Sequence, residues 1–250
     1  MIRHIANGIL LISMSLLMTA CDGLFSDIYD TAPMDTEFSQ GFSPVDASSN
    51  RFTLMVDARE YDKWHYINLS ERTIETISIP DALGDDEWDG RSGWSYNEVE
   101  GTKYTQYDFI PTAAQTDADD WDFAIHHFDI RTNGGSAVAT DRTAIDGFAL
   151  SDAKVYDDRM KFDVWTTTQV ITDLTGMMGF RIGYQNSYVN MPLSSLVTMD
   201  FSTPPPTYHT SGNVCVMRLA DGSYAAICLK NYMSPQGTKG FLTFDIIYPL

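Results

Sequence analysis

From Arg51 to the C-terminus, apolar residues tend to recur at alternate positions, and no stretch longer than about ten residues reads as a helix. A period of two sends successive side chains to opposite faces of an extended chain, so the pattern commits the molecule to strands. Phe52-Thr53-Leu54-Met55-Val56-Asp57 alternates in this way. Trp64-His65-Tyr66-Ile67-Asn68-Leu69 sets Trp64, Tyr66 and the stem of Asn68 on one face. Val155 to Trp165 reads as a further extended stretch, and Leu242, Phe244, Ile246 and Tyr248 mark the last strand. Met191 to Val197 offers one short helical turn. Pro204-Pro205-Pro206 forbids both helix and central strand. An aromatic content of 12%, with 17 Gly and 10 Pro, agrees with strands and turns. The expected fold is all-β, a single domain of antiparallel sheets.

Two places interrupt the alternation. In Trp121-Asp122-Phe123-Ala124-Ile125 the odd positions are apolar, whereas after His126-His127 the even positions Phe128 and Ile130 are. A bulge at the histidine pair, or a strand buried on both faces, would account for the change of phase. Asn133-Gly134-Gly135 then supplies a turn before Ala137-Val138-Ala139. Residues 81–107, rich in Asp, Gly and Trp, read as a long polar loop. Their acidic spacing lacks the alternating carboxylates and terminal Glu of an EF-hand.

Val214 to Leu229 carries a hairpin signature around Asp221-Gly222, a pair that favours a two-residue type I′ turn. Centring the turn there sets Cys215 directly opposite Cys228, at a non-hydrogen-bonded position where side chains approach closely. A cross-strand disulfide and two small buried thiols in contact both fit that register.

The N-terminal segment Met1 to Cys21 has a basic Arg3, an apolar run from Ile9 to Met18, and small residues before a cysteine. Charge, apolar run and cysteine stand in the order of a bacterial lipoprotein signal. Cleavage before Cys21 and acylation of its thiol are therefore expected, with the acyl chains as anchor. The division is residues 1–20 as signal peptide, 21–50 as acylated Cys21 and a flexible tether, and 51–250 as the folded domain. The formal charge is −18, from 16 Lys and Arg against 34 Asp and Glu. Such a surface repels phosphate backbones, so nucleic acid is not a partner.

Motifs of catalysis are missing. No glycine-rich loop precedes a helix, and no G-x-S-x-G elbow occurs. Cys215 and Cys228 alone do not make a zinc site of the usual spacing. His65, His126, His127 and His209 are scattered, and His126 and His127, read as strand neighbours, would face opposite ways. The protein is expected not to be an enzyme.

Three stretches carry a resemblance to a known family. Tyr61-Asp62-Lys63-Trp64-His65-Tyr66 resembles the first strand of the HmuY-like haem-binding lipoproteins of Gram-negative anaerobes. Asp120-Trp121-Asp122-Phe123-Ala124-Ile125-His126-His127-Phe128-Asp129-Ile130-Arg131-Thr132-Asn133 resembles their most recognisable motif. Val214 to Leu229 with Thr238 to Phe244, preceded by Pro204-Pro205-Pro206-Thr207-Tyr208, resembles their closing hairpin and last strand. The resemblance implies an almost all-β fold holding haem near one end of the sheets. It also implies a lipid anchor in the outer membrane at the cell surface, and delivery of haem to an uptake system, with a TonB-dependent haem receptor as the candidate partner.

Members of that family hold haem iron through two histidines or through two methionines. The matching segments here, 174–179 and 198–204, contain no histidine. The first offers Met177 and Met178, of which family position favours Met178; the second offers Met199. The resemblance implies Met178 or Met177 on one side of the iron and Met199 on the other. Because Thr203 stands nearest the prolines, one-sided binding and no binding also stay open. Methionine is a soft, neutral donor suited to ferrous iron, and equally a flexible filler of cores. The competing reading is a surface lipoprotein for adhesion or glycan contact through Trp88 and Trp94.

Overall fold

The computed structural model describes residues 39–44, 50–80, 105–111, 113–174, 181–200 and 207–250. The largest sheet has seven strands. Its order is β1 (Gly41–Pro44), β2 (Arg51–Asp57), β16 (Lys239–Ile247), β15 (Tyr224–Met233), β14 (Val214–Arg218), β8 (Ser136–Ala139) and β9 (Lys161–Phe162). A four-stranded sheet runs β4 (Thr73–Ser78), β3 (Lys63–Asn68), β6 (Phe123–His126), β7 (Asp129–Thr132). A three-stranded sheet joins β10 (Val164–Asp173), β11 (Arg181–Val189) and β5 (Thr105–Asp108), and β12 (Val197–Asp200) pairs with β13 (Thr207–Thr210). Every described strand pair is antiparallel except β5 with β11. The all-β expectation holds. The helices described are short: α1 (Leu150–Lys154), a 3₁₀ turn at Asp157–Arg159, and α2 (Met191–Ser194).

The layers follow from which faces are apolar. Leu54, Phe244, Ile227 and Met217 of the large sheet pack against Ile67, Ile125 and Ile130 of the four-stranded sheet. The reverse face of that middle sheet sets Trp64, Tyr66 and Ala124 against Val170 and Val189 of the three-stranded sheet. A strand covered on both sides loses its alternation, and all four residues of β6 are buried. The one-sided β2 keeps a strict in–out pattern. Each fully buried Leu, Ile or Phe contributes roughly 1.5–3 kcal/mol, so the two interfaces hold the layers in register. The outer face of the large sheet is covered by Ile145, Phe148, Ala153 and Tyr156 around α1.

The structure corrects several expectations. The turn between β14 and β15 is not a two-residue turn. The Leu219 N–H donates to the Ser223 carbonyl at 2.9 Å, and the Gly222 N–H to the Leu219 carbonyl at 3.0 Å. The loop therefore spans Ala220, Asp221 and Gly222, with Gly222 at φ +88° in its third place. Asp221 Oδ1 braces it by accepting from the Ser223 N–H and hydroxyl. This three-residue loop slips the register by one: Cys215 lies opposite Ile227, and Cys228 opposite Val214. A slip of one residue reverses the face, so Cys215 joins the main core and Cys228 the outer cluster. Both thiols are free, and they do not face each other.

The strand before His126-His127 is buried on both faces, as one of the two expectations had it, and the change of phase itself falls at a hairpin rather than a bulge. His126 pairs with Asp129, leaving His127 and Phe128 as the loop. His126 and His127 are therefore not strand neighbours. β1 lies inside the stretch expected as tether and pairs with β2. Within Val155 to Trp165, which reads as extended, the 3₁₀ turn precedes the strands, and α1 comes just before it. Asp152 starts α1 by accepting from the Ala149 N–H at 3.0 Å. The short turn expected after Met191 is α2, capped by Asn190 Oδ1 accepting from the Leu193 N–H at 3.3 Å. The last three residues of the expected loop, 105–107, belong to β5.

Candidate functional site

The hairpin tip between β6 and β7 opens onto a cavity of about 340 Å³. Four elements wall it: the tip with Tyr61; Thr168, Gln169 and Ile171 of β10; Tyr184 of β11; and α2 with Val197 and Thr198 of β12. The volume lies in the range of small-ligand sites.

His127 sits in the loop at φ +52°, a left-handed conformation costing roughly 1–2 kcal/mol outside glycine. Two hydrogen bonds, worth on the order of 1 kcal/mol each, hold it there. Its Nδ1 lies 2.9 Å from the Ala58 carbonyl, and its Nε2 2.9 Å from the Tyr61 hydroxyl. A carbonyl only accepts, so Nδ1 carries the proton and Nε2 accepts from Tyr61. By the same argument His126 carries its proton on Nε2, which lies 2.8 Å from the Tyr61 carbonyl. His126 Nδ1 is then an acceptor, and it is buried without a hydrogen-bond partner. Burial pushes His126 down to about 3 and His127 down to about 4, so both rings are neutral at pH 7.

Asp129 lines the cavity and is only 8% exposed. Its Oδ1 accepts from Gln169 Nε2 at 3.0 Å, and its Oδ2 stands 4.0 Å from His126 Nδ1. Burial pushes its carboxyl up to about 7, a shift that the Gln169 hydrogen bond opposes. The His126–Asp129 contact is therefore not an ion pair at neutrality, because the histidine is far too weak a base to take the proton. Burial also raises the Tyr61 phenol well above its usual range.

The family-like motif around this tip is largely architectural. Asp122 Oδ2 accepts from the Leu69 N–H at 2.7 Å, and Asn133 Nδ2 donates to the Trp121 carbonyl at 2.9 Å. The Arg131 guanidinium lies over Trp64 at 4.4 Å and Trp121 at 5.3 Å, donates to the Tyr66 hydroxyl, and pairs with Asp117. These contacts lock the middle sheet and leave the tip to face the cavity.

Of the methionines singled out by sequence, Met177 and Met178 lie outside the described residues, in the segment linking β10 to β11. Met199 lies in β12 opposite Tyr208, next to the cavity-lining Thr198. Both candidate segments thus adjoin strands that wall the cavity. Cys21, Trp88 and Trp94 lie outside the described residues. His209 is exposed on β13, and His65 is buried with Nδ1 2.9 Å from the Thr76 hydroxyl. Among the described residues no cluster of three His, Cys, Asp or Glu side chains could hold a metal ion, and no helix is long and apolar enough to cross a membrane. Sequence reasoning missed Asp129, Gln169, Tyr61 and Ser194 as cavity residues. Tyr61 and Asp129 lie within the motif stretches, but nothing in the sequence marks Asp129 as buried or Tyr61 as half-buried.

A family model described as HmuY protein matches residues 60–246. A crystal structure from Bacteroides vulgatus, named as a candidate HmuY-like haem-binding protein, is 31% identical, with a TM-score of 0.63, and the match covers 85% of this chain and 99% of that one. A candidate lipoprotein from Bacteroides fragilis is also 31% identical, with a TM-score of 0.63 and coverage of 84% and 97%. The apo HmuY analogue of Tannerella forsythia is 24% identical, with a TM-score of 0.55 and coverage of 78% and 94%, and shares the fold. No curated protein matches the chain.

Proposed function

The chain belongs to the HmuY family, and from that premise we propose that it is a haem-binding surface lipoprotein that captures haem and passes it to an outer-membrane uptake system. It acts as a carrier, not an enzyme, and haem is its cargo. The supporting observation is the cavity beside the hairpin tip, walled by the strands that lead into both methionine-bearing segments. A cavity of about 340 Å³ takes one edge of a porphyrin rather than the whole macrocycle. Met178, or its neighbour Met177, holds the iron from the β10–β11 connection, and Met199 holds it from β12. Cys21 carries the lipid anchor, and a TonB-dependent receptor accepts the cargo.

A thioether has no proton to gain near neutrality, and it prefers ferrous iron. A solvent-exposed histidine ligand must stay neutral and is lost as pH falls through about 6.5, whereas His126 and His127, held near 3 and 4 by burial, would stay neutral at pH 5. His126 is an unsuitable ligand, since it is fully buried and its Nε2 is taken by the Tyr61 carbonyl. The test is a Soret titration of the native chain, Met178→Ala and Met199→Ala, at pH 7.5 and pH 5, with and without dithionite. Binding is expected to survive at pH 5, to tighten on reduction, and to weaken in both variants. Loss in Met178→Ala alone would mean a one-sided site. No saturable Soret change in either redox state would sink the haem reading.

A further inference from the structure

The polar floor of the cavity holds groups that ligation of iron would not use. Asp129 is the one formally charged residue among those described as lining it. Tyr61, His127 and, from behind, His126 are the titratable groups facing this carboxyl from the neighbouring loop and hairpin. β10 contributes Gln169, β11 contributes the Tyr184 phenol, and α2 with the turn into β12 contributes only uncharged side chains. No cation among the described lining residues would neutralise an anion entering here.

The tautomers derived above set where a proton can sit. His126 and His127 hold theirs on the nitrogens that face carbonyls, so the Asp129 proton has two outlets. It can turn towards the unpartnered His126 Nδ1 or towards the cavity. Gln169 fixes the other oxygen, which leaves Oδ2 as the donor. A carboxylic acid in a cavity with no cation among its described lining residues can pair with a second carboxyl group through a hydrogen bond, whereas a carboxylate there would repel it.

We propose that Asp129, in its protonated form, recognises a carboxylic side arm of the porphyrin cargo, donating a hydrogen bond from Oδ2 while Gln169 holds Oδ1. The inference rests on the haem reading and adds to it a specificity-determining residue. The raised carboxyl of Asp129 supports it, because the acid form is then populated at neutral pH.

The experiment compares haemin with haemin dimethyl ester, whose side arms cannot ionise, by Soret titration between pH 6 and pH 8.5. Native protein and Asp129→Asn are measured with both. In the native protein, haemin affinity is expected to fall about tenfold per pH unit once Asp129 ionises, and ester affinity to stay flat. Asp129→Asn keeps a donor and cannot ionise, so its haemin affinity should be flat and should exceed the native value at pH 8.5. Equal pH profiles for haemin and ester in the native protein would overturn the proposal while leaving haem binding intact. So would an undiminished pH dependence in Asp129→Asn. Failure of both porphyrins to bind at every pH would remove the haem reading and this inference with it.

Discussion

Asp129→Asn should make the ligand-free protein more stable, and by an amount that grows with pH. The carboxyl holds its proton up to about pH 7 in the folded chain against 3.8 as its ordinary value. Between those limits the folded state binds one more proton than the unfolded state, so stability falls as pH rises. The penalty is absent below pH 3.8 and complete above about 7. Three units at roughly 1.36 kcal/mol each give about 4 kcal/mol in full, of which about 3 kcal/mol develops between pH 5 and pH 8. Asparagine keeps the shape and the Oδ1 acceptor for Gln169, and its amide N–H can donate to the bare His126 Nδ1. His126 and His127 titrate at low pH, with folded values near 3 and 4, and largely cancel from the native–variant difference. Urea unfolding of both proteins at pH 5, 6, 7 and 8 measures the effect. The midpoint difference should widen by on the order of 1 M urea across the series. A difference that is constant with pH, or a variant less stable at pH 8, would refute the account of Asp129 as a buried acid.

Two further outcomes follow from the fold. Cys215 and Cys228 should both label with a thiol reagent only after unfolding without reductant, and reductant should leave the thermal midpoint unchanged; a peptide crosslinked through both would contradict the observed register. Gly240→Ala should destabilise by about 2–4 kcal/mol, read as a lower urea midpoint, because φ is +93° and the new Cβ would stand 3.0 Å from Arg59 Cα. A variant within about 0.5 kcal/mol of the native protein would show that the approach of β16 to the β2–β3 connection is looser than described.

Some of the molecule was legible from composition and pattern alone. The alternation in Phe52–Asp57 and Leu242–Tyr248 marks β2 and β16, and the short turn read over Met191 to Val197 contains the one-turn helix. Period is a local property, written in a few neighbouring residues. The Trp121–Asn133 stretch carried the family likeness because its side chains lock a hairpin, a role that depends on their identity.

The rest was decided by contacts distant in sequence. Asp221-Gly222 permits either a two- or a three-residue loop, and which of them forms decides which face each side chain of β14 and β15 meets. Cys215 and Cys228 part company for that reason alone. His127 adopts a left-handed backbone because Ala58 and Tyr61, from another loop, hold its ring. Asp129 reads as one acid among 34 acidic residues, and its solvation, hence its proton, depends on β10 and α2 closing over it. A short-range pattern can state which faces are apolar. Which face meets which, and which carboxyl is thereby stripped of water, is set by packing free energies that no single segment contains.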